Sequence, residues 1–452
     1  MSAALGASAL GAPTGDLRHE VELSRRRLRR TWGLLIAVLA VLLWRFSGGF
    51  FLLAAAAVGT ALALSWLFTV LGVLGLDVRR SLSATEIPYG GAVEARLALH
   101  NRKDWPAPWL LWRDQIDPGL DVEGVSSDFR SLKGGGTAEL GYRLHSTRRG
   151  LFRIGPAVVE ASDPFGLVRR FHVDREPVFL TVLPRSLALD RARPASRRPI
   201  HEVPRRRSLF EDPTRFLGVR DYRRGDPLQR IHWRATARSG KLQVKLFEPA
   251  VLDGVLLAIE MSAAVLGDPA DGPSAAEELA VTAAASVADL VLGAGQAVAL
   301  ISNGADAAEA FAGDWTGGTF RRLDQALAAA EPRRKVTAPR PVEVAAGKGA
   351  WQRQRLHTAL ARLVRARGPG LPELLHVELP RLPRSLVLVV LTPRLDAALA
   401  GVLGELHRSG IDVAVAWIGA RGGAAEAALP RGVAVWPVAD EHDLMVLGSR
   451  PL

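Results

Sequence analysis

Residues able to do chemistry crowd into Tyr222–Lys241, YRRGDPLQRIHWRATARSGK, where five arginines and one lysine surround a Gly-Asp-Pro turn and a single tryptophan. Asp226-Pro227-Leu228-Gln229 has the form of a helix start. Asp226 suits the cap, Pro227 the first helical position and Gln229 the reach back of a capping box, and Ser239-Gly240 supplies the stop. A helix of that extent sets Arg230, Arg234 and Arg238 four residues apart in one row, with Ile231 and Ala235 on another face and Trp233 and Ala237 on a third. Such a row is open to three readings. It can track phosphates, with Trp233 stacking on a base. It can belong to a catalytic site, although its only acid and base groups are Asp221, Asp226 and His232, and no nucleophile has an activator beside it. Or the arginines clamp two parts of the protein through bonds to carboxylates and carbonyls, with Trp233 buried, and this is the expectation for most of the row.

A second set of polar groups follows buried strands of the C-terminal half: Glu260 and Ser262, then Ser302 and Asn303, then Thr392. In open parallel sheets ligands bind beyond the carboxyl ends of the strands, and oxygen ligands suit a hard divalent cation. With one carboxylate among hydroxyls and an amide, helix capping by Ser262 and Thr392 is the preferred expectation.

Composition removes other chemistries. The chain has 452 residues and no cysteine, which excludes disulfides, a thiol nucleophile and thiolate metal sites. Its ten histidines are scattered, and the segment AAGKGA around Lys348 lacks the spacing and the hydroxyl residue of a phosphate-binding loop. The net charge of +12 is concentrated: residues 197–245 hold 14 Lys/Arg against 5 Asp/Glu. Such a band suits an acidic partner, whether nucleic acid, lipid headgroup or acidic protein surface, and equally a set of structural clamps.

The elements that must position these groups fall into five segments. Residues 1–30 form a basic N-terminal segment. Residues 31–76 hold two apolar runs, Thr31–Phe46 and Phe50–Leu76, read as a transmembrane hairpin. Trp32 and Trp44 suit the two interfaces of the shorter first run. The clusters Arg25–Arg30 and Asp77–Arg80 flank the hairpin, so the positive-inside rule puts both ends, and everything after Arg80, in the cytoplasm. Residues 78–190 contain short alternating runs such as AVEARLALHN and AELGYRL, which predict an antiparallel β-sandwich. Its tryptophans Trp105, Trp109 and Trp112 are expected to be core and edge packing rather than a binding face. Residues 191–250 form an Arg- and Pro-rich linker followed by the signature stretch. Residues 251–452 alternate strand and helix, the pattern of a doubly wound parallel sheet, with an excursion expected at about 332–349. The fold class is therefore α/β plus all-β behind a membrane hairpin.

The stretch GVRDYRRGDPLQRIHWRATARSGK closely resembles the signature of a bacterial family known as domain of unknown function 58, at Arg220, Tyr222, Gly225, Asp226, Arg230, Ile231, Trp233, Ala237 and Arg238. A second family hallmark is matched by RRGLFRIGPAVVEASDPFGLVRR, at Arg148, Arg149, Gly150, Asp163, Pro164, Phe165 and Gly166. The resemblance implies a von Willebrand factor A-like α/β domain and a non-enzymatic role beside a MoxR-type AAA+ ATPase, or another envelope-assembly protein, at the inner membrane. Metal-binding domains of that type carry Asp-x-Ser-x-Ser after the first strand, and the stretch here is Glu260-Met261-Ser262-Ala263-Ala264. The set Glu260, Ser262 and Thr392 is thus degenerate, and no cofactor is expected. The expected function is a membrane-anchored adaptor or scaffold that does not bind nucleic acid. The alternative is a metal-dependent ligand-binding or adhesion protein.

Overall fold

The computed structural model describes residues 35, 37–39, 41–42, 45, 49–163, 166–174, 176–189, 211–222, 231–249, 254–313, 315, 317–331, 340–378, 386–420, 429 and 433–447. Helix α1 (Gly49–Gly72) is apolar along its length, and Leu53–Gly72 is the one described helix long and apolar enough to cross a membrane. The second apolar run therefore ends four residues short of its expected limit: Leu76 already pairs in a strand. Most of the first run, with the flanking cluster Arg25–Arg30, lies outside the described residues.

The next eleven strands are β1 (Leu76–Leu82), β2 (Glu86–Ile87), β3 (Ala92–Asn101), β4 (Ala107–Arg113), β5 (Asp121–Gly124), β6 (Ser127–Leu132), β7 (Thr137–His145), β8 (Gly150–Ile154), β9 (Val158–Ser162), β10 (Arg169–Val173) and β11 (Val178–Val182). Burial alternates residue by residue along β3, as a strand with one wet face requires. One layer is the sheet β1-β3-β7-β5, and the other is built from the sheets containing β4, β9 and β10 and containing β2, β11 and β8. Leu97 and Leu99 of the first layer pack on Leu110, Trp112 and Val159, while Val93 and Leu144 pack on Ile154, Leu180 and Val182. The predicted sandwich is present. Arg80, read as a flanking charge of the hairpin, is instead buried in it: its guanidinium grips Asp114 at 2.6 and 2.7 Å, and Tyr142 Oη donates to the same carboxylate.

Strand β12 (Glu211–Asp221), helix α2 (Trp233–Ser239) and strand β13 (Gln243–Pro249) follow, with β12 and β13 paired as an antiparallel ribbon. Residues 211–216, expected to be linker, are therefore strand.

The C-terminal unit contains β14 (Gly254–Ile259), α3 (Ala263–Leu266), α4 (Ala275–Gly293), β15 (Ala297–Ser302), β16 (Ala305–Asp306), α5 (Ala307–Phe311), β17 (Gly318–Phe320), α6 (Leu323–Ala329), β18 (Val342–Gly347), α7 (Gly349–Arg362), β19 (Leu363–Val364), α8 (Leu371–Glu378), β20 (Leu386–Thr392), α9 (Ala397–Arg408), β21 (Val413–Ile418), β22 (Ala434–Val438) and α10 (Glu441–Leu447). Six strands form one sheet in the order β18-β15-β14-β20-β21-β22, all neighbours parallel except the antiparallel edge pair β15–β18. β14 and β15 are buried at every residue, because helices cover both faces. One face packs on α4 and α7 and the other on α8 and α9.

The excursion falls elsewhere than expected. Residues 342–347 belong to the sheet, whereas 305–331 leave it, and β17 joins β10 of the sandwich while Ala326 and Ala330 bury Val158 and Phe171. The rest of the predicted excursion, 332–339, lies outside the described residues.

Candidate functional site

The strand order reverses between β14 and β20, so the crevice beyond their carboxyl ends is where a doubly wound sheet takes ligands. Glu260, Ser262, Ser302, Asn303 and Thr392 all gather there and all are buried. Their polar atoms bond one another and the backbone. Glu260 Oε1 accepts from Asn303 Nδ2 at 2.7 Å and Ser262 N at 2.9 Å, and Asn303 Oδ1 accepts from Met261 N at 2.7 Å. Ser302 Oγ donates to the Ile259 carbonyl, and Ser262 Oγ caps α3 by accepting from Ala264 N. Thr392 caps no helix, contrary to expectation. Its hydroxyl donates to Arg394 O and accepts from Arg394 N in a turn, and Asp396 caps α9 instead. With one carboxylate, and with its hydroxyls already engaged by the backbone, this donor set fits a hard cation poorly. Among the described residues no group of three or more His, Asp or Glu is placed to hold a metal. These bonds tie the ends of β14 and β15 to each other and to the start of α3.

The signature stretch is organised differently from its sequence pattern. The described helix α2 begins at Trp233, with His232 Nδ1 accepting from Ala235 N, so Ile231 is not helical: it bridges to Val244, and both are buried. The Ser239-Gly240 stop is present, and Gly240 adopts φ 68° while its N–H closes on Thr236 O. Gln243 ties helix to ribbon by donating its N–H to Thr236 Oγ1 at 3.0 Å and its side-chain amide to Asp221. Arg220 donates to the Asp221 carbonyl at 3.1 Å, and Tyr222 N donates to Leu242 O. Gly225, Asp226 and Arg230 lie outside the described residues, so the three-arginine row and its Asp226 cap are represented only by Arg234 and Arg238, which stand four apart on α2. Trp233 departs furthest from the expectation. It is 69% exposed, not buried, and Arg234 and Arg238 are exposed with it. A seven-residue helix on a two-stranded ribbon has too little apolar cover to bury an indole on its outer side.

The expected arginine clamp between sandwich and α/β unit is carried instead by the second hallmark. Arg149, nearly buried, donates to Glu277 Oε1 of α4 at 2.8 Å and to the carbonyls of Leu360 and Leu363 at 3.0 and 2.6 Å. Glu277 receives a second guanidinium from Arg365 at 2.8 Å, and Arg365 in turn holds the carbonyls of Leu266, Gly267 and Asp268. One buried carboxylate thus joins two cations and two segments. Beside it, burial raises the Glu278 carboxyl above its ordinary value, with Arg149 opposing. Arg148 keeps its side chain exposed. Gly150 follows at φ 155°, where a Cβ would press on the Phe152 ring at 3.1 Å.

The other end of the hallmark faces the apolar helix. Asp163 is buried; its carboxylate accepts from Val168 N at 2.8 Å, closing the turn, and from Ser65 Oγ of α1 at 3.1 Å. Gly166 takes φ 67° in that turn, and Pro164 and Phe165 lie outside the described residues. Lys103 completes the junction by donating to the Leu71 and Gly72 carbonyls at 2.7 and 2.9 Å, the C-terminal end of α1. Burial lowers its pKa to about 8, while the helix-end carbonyls favour the charged form.

Sequence reasoning did not anticipate a further cluster. Asp289 accepts from Ser186 Oγ at 2.6 Å, from both arms of Arg353 and from His357 at 2.8 Å. Burial pushes the Asp289 pKa up, but the His357, Arg353 and Ser186 bonds outweigh it and hold the carboxyl far below its ordinary value. Ser186 and His357 both bond the aspartate and the serine does not bond the imidazole, so the trio is no nucleophilic relay. Of the three sandwich tryptophans, Trp112 is core as expected, whereas Trp105 and Trp109 are exposed, and Trp109 sits at a β-bulge with φ 49°.

Comparison with known proteins bears out the family resemblance: residues 218–357, about a third of the chain, match the family described as "Protein of unknown function DUF58". No curated protein matches the sequence. Similar solved structures include the CARDB domain of PF1109 from Pyrococcus furiosus, with 15% identity, 24% of this chain, 94% of that chain and a TM-score of 0.18. Others are the cupredoxin domain of amoB from Nitrosocaldus yellowstonii (9%, 24%, 87% and 0.18) and a FixG-related protein from Vibrio parahaemolyticus (6%, 24%, 96% and 0.17). At these scores the similarities carry no argument.

Proposed function

We propose that this chain, which carries a DUF58 match over residues 218–357, is a membrane-anchored, non-enzymatic adaptor that docks a cytosolic partner through its signature ribbon. The observation that carries this reading is the exposure of Trp233 beside Arg234 and Arg238, on the stretch that defines the family resemblance. An exposed indole flanked by guanidinium groups has no packing return among the described residues, and Trp and Arg are the side chains that most often dominate protein interfaces. The partner fitting the resemblance is a MoxR-type AAA+ ATPase, acting in assembly or maturation of envelope complexes at the bacterial inner membrane. The strand order in the α/β unit, with its single antiparallel edge strand, supports a von Willebrand A-like domain as the rigid platform. A two-helix anchor with the soluble part facing the cytoplasm is the arrangement favoured by Arg25–Arg30.

Co-purification from native membranes under mild detergent, with nucleotide present, tests this. Wild type recovers an ATPase, and Trp233→Ala with Arg234→Glu loses it while melting as wild type does. Recovery of no ATPase with wild type defeats the proposal. Calorimetry with magnesium and manganese tests the metal-dependent alternative, which saturable binding abolished by Glu260→Ala would revive.

A further inference from the structure

The last turns of α1 lie against the sandwich. Ser65, Thr69, Gly72 and Val73 recur at helical spacing; Thr69 and Val73 are buried, a Cβ at Gly72 would meet Ala161 Cβ at 3.4 Å, and Ser65 bonds Asp163. The remaining sides of these same turns carry Trp66, Leu67 and Phe68, all exposed, Trp66 by 50%. Counted from Gly49, only 16 residues precede Ser65. At about 1.5 Å per residue they span about 24 Å, short of the roughly 30 Å hydrocarbon core. The turns that touch the sandwich are therefore needed within the membrane or at its boundary, and sandwich residues at their level share that environment.

The residues at that level are unusual for a water-facing rim. The turn after β3 packs on the helix end through Lys103, and Asn101 Nδ2 holds the Trp105 and Lys133 carbonyls, bringing the turn before β4 and the turn after β6 together. Gly134 is required there, because a Cβ would fall 2.0 Å from the Asp104 carbonyl oxygen. Two tryptophans project from this end, Trp105 47% and Trp109 41% exposed. The bulge in β4 gives Trp109 a left-handed backbone that bulky residues avoid, an arrangement that trades local strain for the direction of one indole. Arg102, Lys133 and Arg169 are exposed around them; Arg102 pairs with Asp77 at 2.8 Å and Arg169 with Glu160 at 3.4 Å, and Asp104 is a further acidic neighbour. Indoles within a cationic rim are the composition of a lipid headgroup boundary.

We propose that the α1-proximal end of the sandwich is seated in the lipid–water interface, with Trp105 and Trp109 at the headgroup–acyl boundary and the basic rim toward anionic headgroups. This rests on the reading that α1 crosses a membrane. The soluble part is then a module held flush on the bilayer in a fixed attitude, and not one suspended from a tether.

The chain has no cysteine, so single-cysteine spin labels report one position each. Full-length protein is reconstituted without other proteins in vesicles of phosphatidylethanolamine and phosphatidylglycerol, and accessibility to oxygen is compared with accessibility to a water-soluble nickel complex. Labels are placed at Trp105→Cys and Trp109→Cys. Val58→Cys in mid-helix and Val125→Cys, an exposed apolar residue at the far end of the sandwich, serve as references. The expected result is an oxygen-to-nickel ratio several-fold higher at 105 and 109 than at 125, and nearer that at 58. Ratios at 105 and 109 equal to that at 125, with 58 lipid-exposed, overturn the seating while the anchor stands. A water-exposed label at 58 overturns both. Trp105→Cys alone decides the matter if the strained bulge position does not fold.

Discussion

Arg149→Met removes a guanidinium that is 4% exposed and holds Glu277, itself 10% exposed, together with two backbone carbonyls across the sandwich–α/β junction. Breaking a buried ion pair by deleting one partner costs about 3 to 5 kcal/mol. Arg365 still pairs with Glu277 in this variant, which places the expected loss near the lower end, about 3 kcal/mol. Glu277→Ala leaves two buried cations facing each other and belongs near the upper end, about 5 kcal/mol. For a unit of this size each kcal/mol lowers Tm by roughly 2 to 4 °C, so Arg149→Met melts roughly 6 to 12 °C below wild type. Unfolding in mild detergent is followed by tryptophan fluorescence, with Trp417 and Trp436 reporting the α/β sheet. Because the two side chains touch, the double variant loses less than the sum of the single losses, by about 1 to 3 kcal/mol. Stability of Arg149→Met within about 0.5 kcal/mol of wild type, the range of ordinary surface changes, refutes the clamp. So does strict additivity in the double variant.

Trp233→Ala changes stability by less than about 0.5 kcal/mol, as for an exposed residue, and a melting curve shifted further means that the indole packs against something. Asp114→Ala strands the buried Arg80 guanidinium and costs about 3 to 5 kcal/mol by urea unfolding. Because the Asp289 carboxyl is held below its unfolded value of about 3.9, its contribution is complete above that pH and fades as pH falls below it. Asp289→Asn therefore destabilises at neutral pH and flattens the acid limb of a stability–pH curve, and an unchanged limb contradicts the network. Lys103→Met leaves the Leu71 and Gly72 carbonyls without their charged donor, costing about 1.5 to 3 kcal/mol and raising hydrogen exchange in the strands beside α1.

Read alone, the sequence carried the parts governed by local periodicity and by linear motif. Alternation in AVEARLALHN matches β3 residue for residue, the strand–helix alternation over residues 251–452 matches a mostly parallel sheet, and the stop at Gly240 follows from cap chemistry. It placed Glu260, Ser262, Asn303 and Thr392 at one crevice, because strand ends of a parallel sheet must converge. It could not say which arginine is buried. Arg80, Arg149 and Arg365 look like any others in a chain rich in arginine, and only folding brings Asp114 and Glu277 beside them from 34 and 128 residues away. The Asp226-Pro227 start was read as a cap because cap chemistry is local, whereas Ile231 is drawn from the helix by a cross-chain bridge to Val244. Trp233 is expected inside as part of an arginine clamp between two domains, and the tertiary structure leaves it outside because no second layer among the described residues covers the outer side of α2. Burial is a property of what arrives from elsewhere in the chain, and residue type alone does not carry it.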